Sequence, residues 1–230
     1  MDFTFGICAC KENEKIHSII TESIEVLEIP NYEIIFIGSN SDSISNNKKY
    51  INFTLNDDKG WITKKKNILS NEAKYENIVL MHDYFIFHPL WYKNFLDFGN
   101  NFDVAMNSIL NTDGQRLRDW CLNPYDVIPP KGFLANREFL LPYEENNLSN
   151  YMYISGSYLV AKKQFMIENP FDENLFWGES EDIFWSEKVR KITQFKINSK
   201  SIISSLKYKY TDFQIISEHN LKKLKSFLNS

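Results

Sequence analysis

The sequence predicts an α/β fold, a mostly parallel sheet flanked by helices. Three observations carry this. A strand, a helix and a second strand follow one another within the first forty residues, which is a βαβ opening with a right-handed crossover and a parallel sheet. The run Ile78-Val-Leu-Met81 is apolar throughout and too short for a helix, as expected of a strand buried on both faces. It leads into His82-Asp83, a polar pair at the carboxyl edge of the sheet, where open α/β folds bind ligands. The chain has 230 residues and is 43% apolar, enough for one large α/β domain.

Phe3 to Ala9 reads as the first strand, with the polar loop Cys10-Lys-Glu-Asn-Glu14 at its end. Ile16, Ile19, Ile20, Ile24 and Leu27 recur at helical spacing. Tyr32 to Gly38 is the second strand, and Ser39-Asn-Ser-Asp42 is a second polar loop at the same edge. Neither loop has the glycines of a dinucleotide fold or the Gly-Lys-Ser/Thr of a phosphate loop. A nucleotide held here would meet backbone around Ala9 and Cys10 and the side chains of Asn40 and Asp42, unless residues 39–45 are simply a turn.

Residues 50–55 read as a short edge strand and Trp61 to Tyr75 as a basic helix containing Lys64, Lys65 and Lys66. Positive charge in a first helical turn opposes the helix dipole, and a bound diphosphate would offset that cost. A solvated basic face is the plain alternative. After Asp83, Pro89 suits the first turn of a helix, and residues 103–110 are a further strand. Arg116, Arg118, Asp119 and Trp120 form either a polar-ligand site or a buried ion-pair network. Residues 121–150 are irregular and rich in proline, as active-site loops often are. Tyr151 to Ala161 is strand-like around Ser155-Gly156, where a glycine permits close backbone approach. Trp177-Gly-Glu-Ser-Glu-Asp182 opens a carboxylate-rich helix. Such residues favour a first turn, but a tryptophan face for a sugar and a carboxylate for a hydroxyl proton also stand together there. Residues 195–206 read as edge-strand material, and the lysine-rich tail at 215–228 as an amphipathic helix against the body or a membrane surface.

The net charge of −4 and pI near 5.7 do not indicate a nucleic-acid partner. Three cysteines form no disulfide framework, and Cys8 and Cys10 are expected on one face of the opening strand. The N-terminus lacks the pattern of a signal peptide and no apolar stretch is long enough to span a membrane, so a cytoplasmic location is expected.

In this order the motifs resemble the nucleotide-sugar glycosyltransferases of the GT-A fold, particularly the family 2-like group. Phe3 to Glu14 is similar to their first strand and uridine-side loop, and Tyr32 to Asn40 to their second strand. Lys66-Asn67 is similar to the basic-Asn pair on their donor-side helix, and Ser155-Gly156 to the strand before the acceptor loop. Trp177 to Asp182 is similar to their Trp-Gly-Glu-Asp segment. The resemblance implies a Rossmann-like nucleotide-sugar half at 1–110, an acceptor and catalytic half at 111–206 and a tail at 207–230. It implies a nucleoside diphosphate sugar donor (a UDP-sugar favoured), a glycan acceptor and Mn or Mg. Asp182 would be the general base, with Glu181 its nearest rival, and inversion would follow. Ala9, Asn40, Asp42, Lys66, Asn67, Gly156, Trp177 and Glu179 would bind substrate. Asp83 would hold the metal, with His82 or His219 assisting. The sequence departs from the pattern where Asp-x-Asp is reduced to His82-Asp83-Tyr84 and where Gly38 replaces an acidic residue. A sugar-phosphate nucleotidyltransferase would be expected to carry a glycine-rich basic loop after its first strand, unlike Lys11-Glu-Asn-Glu14. A sugar-binding relative without turnover is the other alternative.

Overall fold

The computed structural model describes residues 1–10, 15–38, 43–56, 59–123, 139–210 and 213–228. Its elements are β1 (Phe3–Cys8), α1 (His17–Glu25), β2 (Tyr32–Gly38), β3 (Ser43–Ser45), β4 (Lys48–Asn52), α2 (Ile62–Glu72), β5 (Asn77–His82), β6 (Phe85–Phe87), α3 (Trp91–Phe98) and β7 (Val104–Leu110). They continue as β8 (Cys121–Leu122), β9 (Phe139–Leu140), β10 (Met152–Tyr153), β11 (Tyr158–Lys162), α4 (Lys163–Glu168), α5 (Glu181–Val189), β12 (Lys196–Ser205), β13 (Gln214–Ile215) and α6 (Glu218–Leu228).

A nine-stranded sheet in the order β3-β4-β2-β1-β5-β11-β7-β12-β6 forms the body. β4, β2, β1, β5, β7 and β12 run one way, and β3, β11 and β6 run against them. The parallel strands β1 and β2 flank no solvent, and every residue of β1 is buried, which is why their sequences are continuous apolar runs rather than alternating ones. Phe3 and Phe5 point to one face of β1, where they pack on Trp91 of α3 at 5.2 and 5.9 Å between ring centroids. The Trp91 indole N–H is satisfied inside this core by Asn107 Oδ1 at 3.1 Å. α2 covers β1, β2 and β5 and packs on α4.

The α/β, mostly parallel and GT-A-like architecture is what the sequence predicts, with a smaller second sheet, β10-β8-β9-β13, alongside. Several elements differ from the sequence reading. β1 ends at Cys8, so Cys8 is buried and Cys10 exposed rather than sharing a strand face. Residues 85–87 are a strand, β6, which pairs with the far side of β12. β12 is therefore an interior strand and not edge material, continuous across an irregularity between Asn198 and Ile202. That irregularity is stabilised by Asn198, whose side-chain amide donates to Ser201 Oγ at 2.8 Å while its oxygen accepts from the Ser201 N–H at 3.3 Å. The stretch 151–161 is two strands in two sheets. The amides between them bond to α5 side chains instead of a ladder: the Ile154 N–H donates to Ser186 Oγ at 2.9 Å and the Gly156 N–H to Asp182 Oδ2 at 2.8 Å.

The Arg116-Asp119 cluster resolves as a buried network. Arg116 donates to both oxygens of the fully buried Asp119, at 2.6 Å from Nη2 and 3.1–3.2 Å from Nε. The Tyr143 hydroxyl donates to Asp119 at 2.5 Å, and the Trp120 indole donates to the Glu145 carbonyl at 2.9 Å. The tail helix α6 seats on the body through buried Leu224 and an ion pair from Lys225 to Glu145. No helix among the described residues is long and apolar enough to cross a membrane.

Candidate active site

The carboxyl ends of β1 and β5 lie side by side, with Cys8 opposite His82 in register. The chain leaving β1 passes Asp83, which is 1% exposed. Its Oδ2 accepts the Cys10 backbone N–H at 2.6 Å and lies 3.4 Å from His17 Nε2. His17 is itself stacked on Phe36, with ring centroids 4.6 Å apart. Asp83 thus ties the β1–α1 connection to β5. Beside it, the Ala9 N–H continues the β1 ladder to the Ile37 carbonyl at 2.9 Å. A Cβ at Gly38 would lie 2.5 Å from the Ala9 carbonyl oxygen. Any side chain there, acidic ones included, is excluded by the closeness of the two strand ends.

The next layer is the loop Ser155-Gly156-Ser157. The Ser157 carbonyl accepts the His82 N–H at 3.0 Å, joining this loop to the end of β5. From the other side the loop meets the start of α5, where Asp182 accepts the Gly156 N–H with one oxygen and its own helix's Ile183 N–H with the other, at 2.9 Å. α5 is entered through Gly178 and Ser180, both at positive φ (83° and 62°), which turn the Trp177 segment sharply into the helix. Lys66 reaches the same point from α2. Its ammonium is fully buried, has no hydrogen-bond partner among the described residues, and lies 4.6 Å from the Phe171 ring centroid. Lys66, Gly156, Glu181 and Asp182, far apart in sequence, therefore converge.

Gly156 is required there. An added Cβ would lie 2.8 Å from Lys66 Nζ and 3.0 Å from Asp182 Cβ. Gly156→Ala is expected to destabilise the protein by about 1–3 kcal/mol through overpacking. In a thermal melt that is a fall of roughly 2–4 °C per kcal/mol, and an unchanged midpoint would show that the loop has room.

Burial raises the Glu181 carboxyl above the usual glutamate value. The neighbouring Asp182 adds to this and Lys66 opposes it. Burial, with Lys66 next, holds His82 down to about 3, so the imidazole is neutral. Its Nδ1 is 3.2 Å from the Tyr84 hydroxyl, and its Nε2 is buried without a hydrogen-bond partner among the described residues.

Other expected residues lie apart from this centre or serve the scaffold. The Asn67 side chain bonds both ways with the backbone of Phe171 and donates to Glu173 at 3.1 Å, pinning the 171–173 loop. Lys64 pairs with Glu173 at 2.6 Å. Glu179 is exposed and accepts the Phe176 N–H at 2.9 Å. Trp177 is 67% exposed, held by its N–H to the Gly60 carbonyl at 3.0 Å. His219 is exposed in the first turn of α6. Asn40 and Asp42 lie outside the described residues. The sequence reading missed His17, whose signal is a histidine opening the helix that follows a carboxyl-edge loop. It also missed Lys209, whose ammonium lies 4.3 Å from the Tyr84 ring centroid.

A divalent ion of the Mn or Mg type takes about six ligands, mostly oxygens. Among the described residues no group of three or more His, Cys, Asp or Glu is placed to hold a metal ion. Among the described residues, the end of β5 offers one carboxylate, Asp83, bonded to a backbone amide and 3.4 Å from His17 Nε2, and the imidazole of His82. Lys66, Lys209 and Lys65 all act on that imidazole as nearby positive charges. This donor set does not fit such an ion.

No protein-family model and no curated protein sequence matches the chain. Solved structures do. S. aureus TarS 1-349 aligns with a TM-score of 0.57 at 14% identity, over 99% of this chain and 64% of that one. The same fragment in complex with UDP-GlcNAc gives 0.54 and 16%, over 96% and 61%. GalNAc-T7 with UDP, GalNAc and Mn2+ gives 0.62 and 13%, over 99% and 47%. The chain thus spans less than two thirds of each of these neighbours. At such identities the likeness is one of fold, and it closes the structural case: this chain has a GT-A-like glycosyltransferase fold.

Proposed function

We propose that the chain transfers a sugar from a nucleoside diphosphate sugar, a UDP-sugar by preference, to a hydroxyl of a glycan or glycoconjugate, with inversion. The observation that carries this is the delivery of Asp182 and Glu181, at the start of α5, to the Gly156 loop that closes the end of β5. In an inverting transfer one carboxylate takes the acceptor hydroxyl's proton as its oxygen attacks the anomeric carbon, and the nucleoside diphosphate departs. Asp182 is suited to that role because two backbone N–H groups fix its orientation and it is less buried than Glu181. Trp177, exposed just ahead of α5, offers an apolar face to a sugar ring. TarS structures with UDP and with UDP-GlcNAc, and GalNAc-T7 with UDP, support the choice of nucleotide. The expectation of Mn or Mg, which the sequence resemblance implied, finds support in the Mn2+ of that last neighbour and not in the described residues of this chain.

A thermal-shift panel of UDP-, GDP-, CDP- and ADP-sugars, with and without Mn2+, tests the reading, because a ligand stabilises the state it binds. UDP-sugars are expected to raise the melting temperature most. No shift with any nucleotide sugar sinks the proposal. One observation favours a second reading, a nucleotide-sugar-binding protein without turnover: Asp83 is committed to the Cys10 amide. Donor-induced stabilisation with neither transfer nor donor hydrolysis would favour it.

A further inference from the structure

The residues that follow β12 return to the end of β5. The Leu206 N–H donates to the Tyr84 carbonyl at 2.7 Å. Asn111, at the end of β7, clamps residue 209 from both sides: its Nδ2 donates to the Lys209 carbonyl at 2.8 Å and its Oδ1 accepts the Lys209 N–H at 3.0 Å. This fixes the Lys209 backbone, and the side chain lies over Tyr84 with its ammonium 4.3 Å from the ring centroid. The phenol is next to Asp83 in sequence, where the sequence pattern would have placed the second carboxylate.

Among the described residues, several cations act at this point against the one carboxylate of Asp83. Burial, then Lys207 and Arg118, lowers the basicity of Lys209, while Cys10 and Asp83 oppose this. Lys66 and Lys65 also act on His82 as positive charges. Gathering like charges is costly through their mutual repulsion, and an anionic ligand would offset the cost. The same field repels a divalent cation.

We propose that Lys209 is the cation on which this protein seats the diphosphate of its donor, supplying at the end of β5 the charge neutralisation that a metal ion supplies where paired carboxylates stand. The proposal rests on the nucleotide-sugar reading above. A lysine ammonium is a compact point charge with three donors, suited to phosphate oxygens. It would stabilise the developing negative charge on the leaving nucleoside diphosphate while remaining protonated.

Calorimetric titration of the full chain with UDP, uridine and inorganic pyrophosphate in EDTA tests this, with UDP repeated in Mn2+. The wild type is expected to bind UDP and pyrophosphate in EDTA. Lys209→Met should weaken both roughly tenfold or more, as loss of a charge-assisted contact does, while uridine binding and the melting temperature stay unchanged. Lys209→Arg should retain most of the affinity. The proposal is overturned if UDP binds only when Mn2+ is added, or if Lys209→Met binds UDP and pyrophosphate as the wild type does. Pyrophosphate binding that depends on Lys209, without UDP binding in either condition, would support the anion site and count against the UDP reading alone. If neither anion binds in EDTA, the lysine assignment fails.

Discussion

Asp182→Asn is expected to lower sugar transfer by roughly 10²–10⁴-fold, the usual contribution of a positioned general base, with donor affinity nearly unchanged. The amide keeps the shape of the carboxylate, and its oxygen can still accept the Gly156 N–H that Asp182 Oδ2 takes at 2.8 Å. What it loses is the capacity to take a proton, together with the acceptor that the Ile183 N–H meets at 2.9 Å, so an unchanged melting temperature is the control for folding. Steady-state kinetics should therefore show a collapse in kcat without a matching change in donor KM. Glu181→Gln should cost less, since Glu181 is 7% exposed and less open to a substrate than Asp182. The pH profile distinguishes the two carboxylates. If Glu181 were the base, the rate would rise with pH through a midpoint above the ordinary 4.5, because burial disfavours its charged form and only deprotonated Glu181 can accept a proton. Undiminished transfer by Asp182→Asn would remove the base assignment.

Asp119→Ala should be among the most destabilising single substitutions in the body. Asp119 is fully buried and accepts from Arg116, from the Tyr143 hydroxyl and from the Ile109 N–H at 3.3 Å. Removing it leaves a largely buried guanidinium without its counter-charge. Breaking one side of a buried pair costs about 3–5 kcal/mol, and at roughly 2–4 °C per kcal/mol for a chain of this size the melting temperature should fall by about 6–20 °C. Arg116 also donates to the Leu141 carbonyl at 3.0 Å, so the loss should loosen the segment that follows β9. A shift within a degree of wild type would show that Arg116 re-pairs with solvent.

The sheet was largely legible because of where its strands lie. β1, β2 and β5 are buried on both faces, so they are continuous apolar runs, and α1 shows its apolar residues at helical spacing. β6 and the small-sheet strands were not, since two or three residues show no period. β12 reads as two fragments because its irregularity interrupts the alternation, and its interior position depends on β6 crossing to its far side.

The candidate site divides in the same way. The sequence by itself determined the α/β class, the polar ends of β1 and β5, and the residue types available there: one aspartate beside a histidine, a basic helix and a carboxylate-rich helix start. Those follow from composition and local periodicity, which act over a few residues. Only the tertiary structure decided which of them meet. It buried Lys66 beside Gly156 and the start of α5, turned Asn67 and Lys64 to the 171–173 loop, and bound Asp83 to Cys10 and His17. It also brought Lys209 over Tyr84 from the far end of the chain. No local pattern marks that lysine. Its place is set by Asn111 and by the pairing of β12 beside β7, long-range hydrogen bonds whose partners lie about a hundred residues apart.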